Sequence, residues 1–73
     1  MADPRTLGEK IRFLRLSRGL QQNELAKTLG VYNTAVYQWE KDITAPRPEL
    51  MSRLAKTLGV STARLTLPTS AGS

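Results

Sequence analysis

Gln22-Asn23-Glu24-Leu25-Ala26-Lys27-Thr28-Leu29-Gly30-Val31-Tyr32-Asn33-Thr34-Ala35-Val36-Tyr37-Gln38-Trp39-Glu40 is the stretch on which the reading of this chain turns. Leu25, Ala26 and Leu29 recur at helical spacing, which predicts a short helix over Gln22 to Leu29 ending at Gly30. Val31 and Tyr32 complete a tight turn, and a second helix runs from Asn33 to about Lys41. Val36 and Trp39 fall on its inner side; Trp39 is more often a core residue than a stacking platform. Ala26 is small where the two helices cross. The outward positions of the second helix are then Asn33, Thr34, Tyr37, Gln38 and Lys41, of which Lys41 alone is charged.

The flanks extend the same pattern. Thr6-Leu7-Gly8-Glu9 is a capping box that starts a helix, with Leu7, Ile11, Leu14 and Arg18 along one stripe and Gly19 at its end. Phe13 and Leu16 lie off that stripe, either as peripheral core or as a small apolar patch offered to a partner. Asp42 to Pro46 reads as a loop anchored by Ile43. Pro48 suits the first position of a fourth helix, which carries Leu50, Leu54, Ala55 and Leu58 and stops at Gly59. Ser61 caps one last turn through Leu65. The heptapeptide Leu25–Val31 recurs letter for letter as Leu54–Val60, because both segments meet the same demand: an apolar helix end, a glycine, and a valine beneath it.

The domain organisation predicted is a polar lead-in over residues 1–5, one helical domain over 6–67, and a small polar tail or start of a linker over 68–73. Seventy-three residues hold a single small core, and 40% hydrophobic with only 5% aromatic residues suits leucine-rich helices. The fold class predicted is all-α, a compact bundle of about five short helices. Eleven Lys/Arg against six Asp/Glu give a net charge of +5, which favours a polyanionic partner. With no Cys and no His, disulfides, Cys/His zinc sites and His-based nucleophilic machinery are excluded. Six carboxylates without a phosphate-binding loop offer no enzymatic constellation, so no catalytic residue, cofactor or metal is assigned. No apolar run approaches transmembrane length, and no small-molecule ligand is evident.

Two helices joined by a tight glycine-containing turn, the second polar on its outer face, form the unit that fits a DNA major groove. Asn and Gln pair bidentately with adenine, and a Thr methyl sits against thymine, so Asn33, Thr34 and Gln38 suit base reading better than backbone holding. Lys10, Arg12, Lys27, Lys41 and Arg47 are candidates for phosphate contacts, which position a protein without conveying sequence. Arg53, Lys56 and Arg64 read as solubilising charges.

The chain resembles the lambda-repressor/Cro-like helix-turn-helix family from about Leu7 to Leu65. The marks are Leu7-Gly8, Ile11-Arg12, Leu14-Arg15, Gly19-Leu20, Gln22, Leu25-Ala26, Leu29-Gly30-Val31, Val36, Trp39-Glu40 and Pro46. The resemblance implies a third helix docked in the major groove, with Asn33, Thr34 and Gln38 facing base edges and Tyr32 and Tyr37 beside them. It implies that Gln22 opens the second helix against the DNA backbone, and that Arg15 and Glu40 form a structural ion pair. It further implies a transcriptional regulator, most simply a repressor in the cytoplasm of a bacterium or encoded by a phage or plasmid. Such proteins commonly bind as homodimers to two half-sites of double-stranded DNA. Phe13 with Leu16, or the Leu65–Leu67 end, are the two candidate dimer contacts.

Three positions depart from the family pattern. Gln21 stands where a Ser or Thr cap is usual. Tyr32 stands at the usual Ser/Thr cap of the recognition helix, and Asn33 is the alternative cap. Asp42 stands at the usual glycine and carries a negative charge near the expected phosphate track. A different class of function, a protein-interaction module docking through Phe13 and Leu16, is the alternative; it is distinguished by a weak response to salt.

Overall fold

The computed structural model describes residues 6–66, which form five helices: α1 (Leu7–Ser17), α2 (Gln22–Leu29), α3 (Asn33–Glu40), α4 (Pro48–Leu58) and α5 (Thr62–Thr66). The lead-in over 1–5 and the tail over 68–73 lie outside the described residues. α3 packs against α1 and α2, α4 packs against α2 and α5, and α5 returns to α1. The bundle is the all-α arrangement predicted from the helical periodicity.

Each helix starts where local chemistry dictates. Thr6 is extended, its Oγ1 accepts from the Glu9 N–H at 3.1 Å, and Glu9 Oε1 accepts from the Thr6 N–H at 3.2 Å. At α2 the Glu24 carboxylate supplies the missing signal, accepting from the Gln21 N–H at 2.7 Å. Asn33 is not a cap: α3 starts at Asn33, with Tyr32 in the extended cap position and no side-chain hydrogen bond there. Pro48 occupies the first turn of α4, where its missing N–H costs nothing. The Arg64 N–H donates to Ser61 Oγ at 3.2 Å at the start of α5.

The repeated heptapeptide folds the same way twice. The Val31 N–H donates to the Ala26 carbonyl at 3.0 Å and the Gly30 N–H to Lys27 at 3.2 Å; Val60 to Ala55 at 3.0 Å and Gly59 to Lys56 at 3.1 Å repeat the pattern. Gly30 and Gly59 adopt φ values of 73° and 77°, the left-handed conformation this closure demands and that a Cβ disfavours.

Ile11, Leu25, Leu29, Val36, Trp39, Met51, Leu54, Leu58 and Leu65 form one contiguous core drawn from all five helices. Burying each large aliphatic side chain contributes about 1.5–3 kcal/mol relative to exposure. Met51 joins this core although the predicted stripe of α4 omits it. Arg18, placed on the α1 stripe by its spacing, is exposed and lies with its guanidinium against Gly59. Ile43 does not anchor the loop after α3, being 62% exposed; Pro46 is the buried residue there. A proline carries no N–H to satisfy, so it enters the interior without leaving a donor unpaired.

Candidate nucleic-acid interface

α3 divides its residues by helical period. Val36, Trp39 and Glu40 are buried, Ala35 is half-buried, and Asn33, Thr34 and Tyr37 are exposed, with Gln38 half-buried at the edge of the same face. Steps of four residues bring Asn33 beside Tyr37, Thr34 beside Gln38, and Tyr37 beside Lys41. Eight residues span roughly 12 Å at 1.5 Å each, so this stripe is about as long as a major groove is wide. The Lys41 ammonium lies 5.8 Å from the Tyr37 ring centroid, which holds the one cation of the stripe against its aromatic face. Tyr32, in the turn just before α3, is 86% exposed.

Two attachments fix the far end of α3. Arg15 Nε donates to Glu40 Oε2 at 2.5 Å and Arg15 Nη2 to Glu40 Oε1 at 3.1 Å, both inside the protein, while Arg15 Nη1 donates to the Leu20 carbonyl at 2.7 Å. The forked geometry matches a guanidinium to both carboxylate oxygens, which offsets the desolvation of two buried charges. Beside it, Asp42 adopts φ 60° and turns its carboxylate onto the start of α1. Its Oδ1 accepts from the Gly8 N–H at 2.9 Å and its Oδ2 from the Thr6 hydroxyl at 2.6 Å. Asp42 stays exposed, and its charge is paired with the positive end of α1.

Of the residues singled out for phosphate contacts, Arg12, Lys27, Lys41 and Arg47 are exposed. Lys10 is not a surface cation: it is 8% exposed and sits within the bundle wall. Gln22 is half-buried, and its Nε2 donates to Glu40 Oε1 at 3.1 Å, so its amide is engaged by the ion pair. Phe13 and Leu16 are not peripheral core, being 54% and 56% exposed. Sequence reasoning missed the capping role of Asp42 and the burial of Gly8. A signal existed, since glycine inside a first helical turn costs about 1 kcal/mol against alanine and implies a close approach. Among the described residues no three His, Cys, Asp or Glu side chains group as a metal site.

Comparison with known proteins places this geometry. The helix-turn-helix family model matches residues 11–65. The chain is 40% identical over 55 residues to the repressor protein C2 of Salmonella phage P22, covering 75% of this chain and 26% of that one. It is 41% identical over 56 residues to the cryptic phage CTXphi transcriptional repressor RstR of Vibrio cholerae, covering 77% of this chain and 50% of that one. The chain therefore spans between a quarter and a half of the length of these curated relatives. Its fold superposes with a TM-score of 0.80 and 38% identity on the P22 c2 repressor crystallised in complex with the synthetic operator 9T, covering 82% of this chain and 91% of that one. A match over most of the residues, with the α2–turn–α3 unit and the Arg15–Glu40 pair inside it, settles the kinship: this chain belongs to the helix-turn-helix family of the lambda-repressor/Cro-like type.

Proposed function

We propose that this chain binds double-stranded DNA sequence-specifically, with α3 in the major groove, and represses transcription by occupying an operator. The observation that carries the reading is the uncharged polar stripe of exposed Asn33, Thr34 and Tyr37 with half-buried Gln38 at its edge, on a helix whose other side is locked into the core. Asn33, Thr34 and Gln38 read base edges, with Tyr32 and Tyr37 flanking them; Gln22, Arg12, Lys27, Lys41 and Arg47 hold the DNA backbone. The net charge of +5 supplies the sequence-independent part of the affinity. Support comes also from the P22 c2 repressor, a structural neighbour crystallised with the synthetic operator 9T. The chain acts as a homodimer on two half-sites about one helical turn apart. No described helix is long and apolar enough to cross a membrane, and the proposed place of action is the cytoplasm, on DNA.

Selection of bound sequences from a random DNA pool tests this reading. A recovered word with two-fold symmetry supports it; a pool that returns no preferred word overturns it. The exposure of Phe13 and Leu16 favours a second reading, a protein-interaction module. Salt separates the two: DNA affinity falls with a log-log slope of about −0.9 per phosphate neutralised, whereas apolar docking barely responds.

A further inference from the structure

Resting on the DNA-binding reading above, we infer that Glu40 is a positioning residue for Gln22. The ion pair that closes α1 on α3 also orients the Gln22 carboxamide at the start of α2, holding one N–H inward and leaving the second for a DNA phosphate oxygen.

Three donors converge on Glu40: Arg15 Nε on one oxygen, and Arg15 Nη2 with Gln22 Nε2 on the other, at 2.5, 3.1 and 3.1 Å. The guanidinium alone already matches both oxygens and neutralises the charge, so Gln22 is not needed to satisfy the pair. An ionised carboxylate only accepts, which forces the Gln22 amide nitrogen, not its oxygen, toward Glu40. A carboxamide is planar and carries two N–H groups; fixing one fixes the direction of the other. Gln22 is the first residue of α2, where backbone N–H groups and the helix dipole favour an anion. Its neighbour Gln21 is exposed, whereas Gln22 is half-buried beneath this contact. A long side chain ordered before DNA arrives loses less freedom on binding, which is how a pair remote from the bases raises affinity.

The test compares four folded proteins, checked by thermal melting: wild type, Gln22→Ala, the double variant Arg15→Met/Glu40→Leu, and the triple variant. The double variant replaces the ion pair by apolar groups at unchanged net charge, an exchange that buried pairs often tolerate. Gln22→Ala is expected to weaken binding to every DNA sequence by about three- to tenfold with the salt slope unchanged, because a neutral amide releases no counterion. The double variant is expected to show the same loss, and the triple variant no further loss. If Gln22→Ala has no effect in wild type, or retains its full effect in the double variant, the inference is wrong.

A second measurement needs no variant. In wild-type protein free of DNA, NMR is expected to show one Gln22 Nε2 proton shifted and protected relative to the Gln21 carboxamide, and to keep that signature in the operator complex. A Gln22 amide as averaged as that of Gln21 overturns the inference. Failure of wild type to select any DNA word overturns the function itself, a result seen in wild type alone and distinct from a failure confined to the variants.

Discussion

The Asp42 carboxylate caps the start of α1 through the Gly8 N–H, 2.9 Å away across 34 residues of sequence. The contact brings the α3 C-terminus against the α1 N-terminus, where opposite helix-dipole ends meet. A Cβ on Gly8 would stand 2.6 Å from the Glu40 carbonyl oxygen and 2.8 Å from Asp42 Oδ1, and would overlap the Trp39 carbonyl as well. Together with the Arg15–Glu40 pair, this junction ties the C-terminal end of α3 to α1.

Gly8→Ala tests that close approach. Helix propensity alone would raise stability by about 1 kcal/mol, but backbone oxygens cannot swing aside as a side chain can. The expected outcome is a net loss of about 1–3 kcal/mol, read as a lower melting temperature. A rise in melting temperature would show that the two helix ends do not meet as described.

Asp42 carries two opposed effects, a left-handed φ of 60° and a two-bond cap. Asp42→Gly relieves the backbone and loses the cap, whereas Asp42→Ala loses the cap and keeps the strain. Chemical denaturation is expected to rank alanine below glycine by about 1 kcal/mol. Equal stability of the two variants would contradict the left-handed assignment.

Gly30→Ala and Gly59→Ala should be near-equal in cost, about 1 kcal/mol each, since the two copies of the heptapeptide share one conformation. The neighbour of Gly59 is the guanidinium end of Arg18, a flexible group able to move away. Melting temperatures that differ severalfold in their shift would break the equivalence of the two turns.

The residues that were legible in the sequence are those governed by neighbours within one helical turn. Thr6 with Glu9, Pro48, Ser61 and the helix-ending glycines act over three or four residues, and each behaves as read. The α3 stripe was legible because Val36 and Trp39 fix its inner side by period alone. Gln22–Glu40, Gly8–Asp42, the burial of Lys10 and the exchange of Ile43 for Pro46 depend on which elements meet in space. Eighteen residues separate Gln22 from Glu40, and no local rule spans that gap. Arg15–Glu40 is the exception: family resemblance supplied it, not periodicity.

Glu40→Ala leaves Arg15 buried without its carboxylate. Breaking a buried pair from one side costs about 3–5 kcal/mol, so thermal melting is expected to fall sharply while relative preference among DNA sequences stays the same for the fraction that remains folded. An unchanged melting temperature would show that the pair contributes little.

The central claim is that the polar face of α3 reads base pairs, and competition binding of wild type and Gln38→Ala against single-base variants of the selected operator tests it most directly. The account predicts that Gln38→Ala loses about 1–3 kcal/mol of discrimination at one base-pair position per half-site, with affinity for random DNA unchanged. Equal weakening on every sequence, with discrimination intact at all positions, would contradict it.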